Sequence, residues 1–470
     1  MAASYHDRLR DGAKLKALTE QDPSLGEAEQ PAQFTPEFLK KIGIIQQPIT
    51  AGNGYIKLHY SDFIVEEITE KGAIASVEAG PLGQPDWDAP APTDPEKRLR
   101  LEVELVKQGF STFEALERLA EALNLPMNQI TYGGLKDGKA ITAQRVSVNS
   151  ITREQLEGVS IPNLFIKNAH YRVGMRNIGE LFGNRFTILV RTGELNNEIL
   201  QTRLDEIKNR GFFNFFSLQR FGSRLLTHHV GKFILQSQYD EAFKLWLVGA
   251  SPHEGRALQK NRLQAAASWG DWPAMVEQFS AFPYFFQNEL KALAVLVQEP
   301  GNLIGALEAV GDQIKFAVNA YGSYCFNSVL SAQLAKGQID ETIPQLDPTC
   351  VGWYEHYLPN EKLGELRWRH PLLKFLGDTR PRRVPTRVPV TVHSVTAVDE
   401  GVIFHFDLTK GAYATTFLAE LFQLYQGRPV PDWVNQNVVD TRKRIGYPPI
   451  SETEEAFPKA SLEDLEVGDE

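Results

Sequence analysis

Cysteine is nearly missing: two of 470 residues, Cys325 and Cys350. That excludes a disulfide framework, and no Cys pair stands at zinc spacing. The two could pair, but a long chain so poor in cysteine reads as cytosolic and reduced, with free thiols. No apolar run approaches the roughly 18 to 20 residues that a membrane helix needs. The first residues, MAASYHDRLRDGAK, lack the apolar stretch of a secretory signal. His-Glu-x-x-His, Gly-x-Ser-x-Gly and the Rossmann glycine fingerprint are all absent, which leaves metallopeptidase, serine-hydrolase and dinucleotide chemistry without support. There is no internal repeat and no heptad run. An excess of positive charge is missing too. The formal net charge is -10, which by itself argues against a nucleic-acid partner.

The distribution of charge alters that reading. The last twenty residues, SETEEAFPKASLEDLEVGDE, hold a net of -7, whereas Leu366 to Arg387 holds seven Arg or Lys against one Asp. Either this stretch is a solvated linker, or the body carries a basic face. At 42% hydrophobic and 23% charged residues the chain is a globular protein, and its length suggests two or three domains.

The first forty or so residues are polar and read as a mobile arm. Tyr55 to Ile68 is strand-like, and residues 80–97 are crowded with Pro, Gly and Asp, a loop or insertion. Ser111 with Glu114 fits a capping box. Leu116, Leu119, Ala120 and Leu123 then form one helical stripe. Ile130 to Val148 and Arg185 to Arg191 are rich in β-formers. Leu200, Leu204 and Ile207 mark a helix that Gly211 stops. From Asp240 to about Arg383 the pattern is helical. Strand character returns at Val388 to Val398 and Val402 to Phe406. Leu418, Leu421, Phe422 and Tyr425 predict a last helix. β-Rich segments thus flank a helical middle, as in a mixed α/β domain interrupted by an insertion.

The densest segment is Tyr132 to Gln144, YGGLKDGKAITAQ. Glycines let a backbone turn tightly, and Lys136 places an ammonium beside the Asp137 carboxylate, a potential nucleophile or base. The plain alternative is a surface turn between strands. Gly133 to Lys139 also imitates a P-loop, but Ala140 stands where the magnesium-binding Ser or Thr belongs. In Gly211 to Gly222, GFFNFFSLQRFG, aromatics interleave with amides and Arg220, a mixture that suits unstacked RNA bases. Its alternative is a buried aromatic turn. Asp62, Glu66 and Glu67 could be acid/base groups, but the default is the solvated face of a strand. Tyr321 to Asn327 reads as the aromatic start of a core helix, and the adjacent His228 and His229 as helix-surface or capping residues.

Together these segments resemble the TruD family of tRNA pseudouridine synthases. Gly134, Lys136, Asp137, Ala140, Thr142 and Gln144 match the family's G-x-K-D-x-x-A-x-T-x-Q at every fixed position. Asn214, Phe216, Gln219, Arg220, Phe221 and Gly222 fit N-Y-F-G-x-Q-R-F-G, with Phe215 for Tyr and Ser217 for Gly. Asp62, Phe63, Val65 and Glu67 fit P-x-D-F-x-V-x-E, with Tyr60 for Pro. Gly183, Asn184 and Phe186 fit G-N-x-F, and Gly411, Tyr413, Ala414, Thr415 and Thr416 a C-terminal G-x-Y-A-T-T. Ser217, and Gly138 in place of a basic residue, bear on substrate preference.

The resemblance implies an α/β (α+β) fold: the mixed β-sheet of pseudouridine synthases, interrupted by a mainly helical TRUD insertion domain. The expected boundaries are an arm at 1–45, catalytic parts at 46–242 and 388–430, the insertion at 243–387, and a C-terminal extension at 431–470. It implies conversion of uridine to pseudouridine in tRNA, uridine 13 of the D arm being the usual target, with Asp137 as nucleophile or base. Phe216 would stack on the uracil, and Asn214 would meet the Asp loop or the base edge. Lys136, Gln144, Arg220 and Phe63 would complete the substrate site. Lys139, Arg380, Arg382 and Arg383 would hold the RNA backbone. No metal, organic cofactor or membrane is expected, and the chain is expected to be a monomer. Two alternatives stand beside this: an RNA-binding module without catalysis, and a glycoside hydrolase using Asp137 with Glu66 or Glu67.

Overall fold

The computed structural model describes residues 5–30, 34–45, 49–83, 99–149, 151, 153–376 and 382–459. These fall into two compact units. One is built from the described residues of Ala51–Gly211, Pro389–Ala414 and Val430–Glu470; the other from those of Met1–Thr50, Phe212–Val388 and Thr415–Pro429. The chain therefore leaves the sheet unit at Gly211, earlier than the boundary of 242 read from sequence.

The sheet unit has seven principal strands: β1 (Phe63–Ile68), β2 (Leu99–Gln108), β3 (Ile141–Val148), β4 (Leu164–Val173), β5 (Gly183–Leu195), β6 (Val390–Val398) and β7 (Gly401–Thr409). Their order is β6–β7–β5–β1–β3–β2–β4. The β1–β3 pair is parallel, Ile64 opposite Ile141, and the other neighbours are antiparallel. Helix Thr112–Ala122 begins with the capping box expected of Ser111 and Glu114. Its stripe of Leu116, Leu119, Ala120 and Leu123 is buried against Leu101, Val103 and Leu105 of β2. Helix Asn197–Arg210 buries Leu200, Leu204 and Ile207, and Gly211, at φ 75°, ends it.

β1 is flanked on both edges and covered on both faces, so all six of its residues are buried. Asp62, in the turn just before β1, is buried as well, so the expectation that Asp62, Glu66 and Glu67 form a solvated face is corrected. Asp62 meets Arg191 through two charge-assisted bonds of 2.7 and 2.8 Å. Glu66 accepts from Arg442 at 2.8 Å, and Glu67 from Lys136 at 2.9 Å. A buried carboxylate without such a partner would carry a desolvation penalty of several kcal/mol.

The other unit is mainly helical. Its longest helix, Gly311–Lys336, buries Tyr321, Cys325, Phe326 and Asn327 at its centre and stops at Gly337, φ 67°. Tyr321 to Asn327 is thus core, as expected, but mid-helix. His228 is buried, against the surface role expected of it, because its ring packs between Phe221 and Tyr324. Two further readings change. Tyr5–Gln21 is a helix where a mobile arm was expected; the Asp11 carboxylate accepts from the backbone N–H of Tyr284 and Phe285 at 2.8 and 3.2 Å. The last expected helix ends at Ala419, and Gln423–Tyr425 is a strand. Leu418, Leu421, Phe422 and Leu424 are all fully buried, so apolar residues recur there without a solvent face to give helical spacing meaning. Both cysteines are free.

Candidate active site

The loop from Gly133 to Ala140 joins strand Ile130–Tyr132 to β3, and four neighbours hold it in shape. Gly133 accepts from the Gly179 N–H at 2.6 Å. Gly134 accepts from the Gln144 side chain at 3.2 Å, whose own oxygen accepts from Thr112 Oγ1 at 2.9 Å. Thr112 Oγ1 in turn accepts from the Lys136 N–H at 2.8 Å. Gly138 lies so close to the Phe110–Ser111 backbone that a Cβ there would stand 3.3 Å from Ser111 N. A bulkier residue would push the loop away from the start of helix Thr112–Ala122.

Lys136 and Asp137 diverge. The Lys136 side chain turns inward to Glu67, with both partners at or below 1% exposure. Asp137 keeps 23% of its side chain exposed, and its Oδ1 accepts from Lys57 Nζ at 2.6 Å. Lys57 sits at φ 62°, a left-handed conformation that costs a non-glycine residue about 1 kcal/mol or more. Its ammonium also lies 4.2 Å from the centroid of the Phe63 ring. From below, the Lys107 ammonium donates to the Asp137 main-chain oxygen at 2.8 Å. Burial pushes the Lys107 pKa down to about 7, against the pull of Asp137 and Glu114.

Several site residues therefore serve the loop, which differs from the expectation of substrate contact. Gln144 is fully buried and its amide is taken up at both ends. Phe63 is 1% exposed, packed against Phe186 and under Lys57, where no base can stack on it. Lys136 cannot reach a phosphate. Lys139 is exposed, as its expected role requires. The turn between strands exists, yet it holds a partly exposed carboxylate paired with a lysine in a left-handed conformation.

In the helical unit, Asn214 donates to the Pro385 oxygen at 2.9 Å, and its own N–H bonds Thr386. Phe216 is half-buried, its N–H donating to Asn327 Oδ1 at 2.9 Å. Phe326 meets its ring edge-on at 5.2 Å, and the Arg220 guanidinium lies 5.4 Å from its centroid. Arg382 and Arg383 are exposed; Arg383 also donates to Thr342. Arg380 lies outside the described residues.

Lys57 and Lys107 escaped the sequence reading. Lys107 had a usable signal: it shares the parity of Leu101, Val103 and Leu105, so it belongs to the apolar face of β2. Lys57 had none, since nothing local marks a lysine as left-handed.

Among the described residues no group of three or more His, Cys, Asp or Glu could hold a metal ion, and no helix is long and apolar enough to cross a membrane. A family model described as tRNA pseudouridine synthase D (TruD) matches residues 47–347. A Methanopyrus kandleri protein named "Probable tRNA pseudouridine synthase D" is 30% identical over 343 residues, 67% of this chain and 84% of that protein. A Methanocaldococcus jannaschii protein named "Probable tRNA pseudouridine synthase D 1" is 29% identical over 393 residues, 79% of this chain and 95% of its own. A Methanosarcina mazei crystal structure assigned to tRNA pseudouridine synthase D has the same fold, with a TM-score of 0.53 at 23% identity, covering 82% of this chain and 98% of that one.

Proposed function

The chain belongs to the tRNA pseudouridine synthase D (TruD) family, and from that membership we propose that it isomerises uridine 13 of the tRNA D arm, with Asp137 acting on the ribose. The observation that carries this is the Asp137 carboxylate itself. It is partly exposed on a loop held by four neighbours, with Lys57 on its side chain and Lys107 on its main chain. Such preorganisation suits a group that must meet one sugar carbon in one orientation.

The isomerisation breaks the bond between uracil N1 and ribose C1′. The uracil then turns, forms a bond from C5 to C1′, and loses the C5 proton while N1 takes one up. Nothing is added or removed overall, so neither a metal nor a redox cofactor is required. Asp137 can enter in two ways: it adds to C1′ as uracil departs and leaves as C5 attacks, or it takes the C2′ proton to start elimination and returns it as the C5–C1′ bond forms. Lys57 orients the carboxylate in either case.

A paired or stacked uridine must first leave its stack, at a few kcal/mol. Stacking on Phe216 would return about 1 to 3 kcal/mol. Lys139, Arg382 and Arg383 would hold phosphates of a tRNA bound by a monomeric, cytosolic enzyme, and the affinity would fall steeply with salt. The glycoside-hydrolase reading loses its second carboxylate, since Glu66 and Glu67 are buried in ion pairs with Arg442 and Lys136.

The test is site-resolved detection of pseudouridine in unmodified tRNA transcripts treated with wild type or Asp137→Asn. The proposal expects one modified uridine, at position 13, and none with the variant. Modification at another position overturns the target alone. Binding without modification of any tRNA makes the chain an RNA-binding module.

A further inference from the structure

Asp137 is held from two sides, and the second of these is not part of its side-chain chemistry. Lys107 closes the buried face of β2, with 0% exposure. Its Nζ donates to the Phe110 oxygen at 2.5 Å and to the Asp137 oxygen at 2.8 Å. Those carbonyls belong to different segments: the turn that leads into helix Thr112–Ala122, and the loop of Gly133 to Ala140. One ammonium thus joins both to the end of β2. The charged groups facing it are Asp137 and Lys136 from the loop and Glu114 from the helix. Its strand neighbours, Thr142 on β3 and Leu164 on β4, carry no charge.

We propose that Lys107 is a positioning residue, which sets where the Asp137 carboxylate meets the ribose by holding the Asp137 carbonyl against the turn at Phe110. The inference rests on the assignment of Asp137 to the chemistry. A structural lysine would ordinarily be surface-exposed or paired with a carboxylate; this one donates to main-chain oxygens and is buried at the cost of part of its basicity. An ammonium bonds two carbonyls with charge assistance, and a neutral amine without it. Because burial lowers the Lys107 pKa to about 7, the tie is tight below neutrality and loosens above it.

The experiment measures single-turnover pseudouridine formation with enzyme in excess, from about pH 6 to about pH 9, a range that brackets the lysine. Wild type, Lys107→Met and Asp137→Asn are run together, with tRNA Kd and melting temperature for each. A displaced catalytic group slows chemistry on the order of tenfold to a hundredfold without weakening remote contacts. Lys107→Met is therefore expected to lose rate by that factor, with Kd within about twofold of wild type, and to lose the wild-type decline of rate above neutrality. A rate within about twofold of wild type overturns the proposal, as does a loss explained wholly by Kd. If Lys107→Met does not fold, Lys107→Gln carries the same comparison, since its shorter amide cannot span both carbonyls. Activity surviving in Asp137→Asn would instead defeat the underlying assignment, whatever Lys107 does.

Discussion

Replacing Lys136 with Met separates a stabilising role from a substrate-binding one. Lys136 neighbours Asp137 in sequence, yet its ammonium is buried against Glu67 at 2.9 Å. Removing one member of a buried ion pair leaves the other as an uncompensated charge, which typically costs about 3 to 5 kcal/mol. Glu67 keeps some support: Arg176 lies 3.6 Å away, and the Arg145 N–H donates to it at 3.4 Å. The lower end, about 3 kcal/mol, is therefore expected. At roughly 2 to 4 °C per kcal/mol for units of this size, the sheet unit should melt about 6 to 12 °C lower. The second readout is the salt dependence of tRNA binding, followed by filter retention below the melting transition. A phosphate-binding lysine would contribute about 0.7 to 0.9 to the slope of log K against log salt; Lys136 should contribute nothing. A variant that melts like wild type but binds tRNA with a shallower slope would refute the reasoning. The double variant Lys136→Met/Glu67→Leu should recover much of the lost stability, since well-packed apolar residues can replace a buried pair.

Other consequences follow from single contacts. Phe216→Ala should lower kcat/KM by about 1 to 3 kcal/mol in free-energy terms, roughly fivefold to 150-fold, with the fold intact by circular dichroism. Arg382→Ala should shallow the salt slope of tRNA binding by about 0.7 to 0.9 while leaving the single-turnover rate at saturating enzyme unchanged. Burial, and then the neighbouring His229, push the His228 pKa down to about 3. The unfolded chain therefore binds a proton that the folded chain refuses, between about pH 6.5 and about pH 3. Stability from this site is full above that window and lost as pH falls through it, on the order of 3 kcal/mol by about pH 4. Equilibrium denaturation in urea across that range should show His228→Phe, which keeps the packing against Phe221 and Tyr324, to be less acid-sensitive than wild type.

What the sequence made legible was governed by local rules. The capping box of Ser111 and Glu114, the stripe of Leu116 to Leu123 and the stop at Gly211 each depend on neighbours within a few residues, and each is found in the structure. Asp137 stood out because a short, glycine-rich motif surrounds it. What failed depended on tertiary surroundings. An acid on a strand is read as solvated unless one knows that β1 is central and covered on both faces, and this misplaced Glu66 and Glu67. Adjacency in sequence suggests that Lys136 and Asp137 act together, although successive side chains in an extended loop diverge. Gln144 ends the motif and so suggests a substrate contact, whereas it braces the loop from beneath. Phe63 is likewise a floor for Lys57. Lys57 itself came from 80 residues away, beyond the reach of any periodicity.

The most direct test is the extent of pseudouridine at position 13 of a tRNA transcript after treatment with wild type and with Asp137→Asn, under conditions where both proteins bind the RNA. The account predicts modification at that position by wild type and none by Asp137→Asn at equal occupancy. Pseudouridine formed by Asp137→Asn at a rate near that of wild type would contradict it.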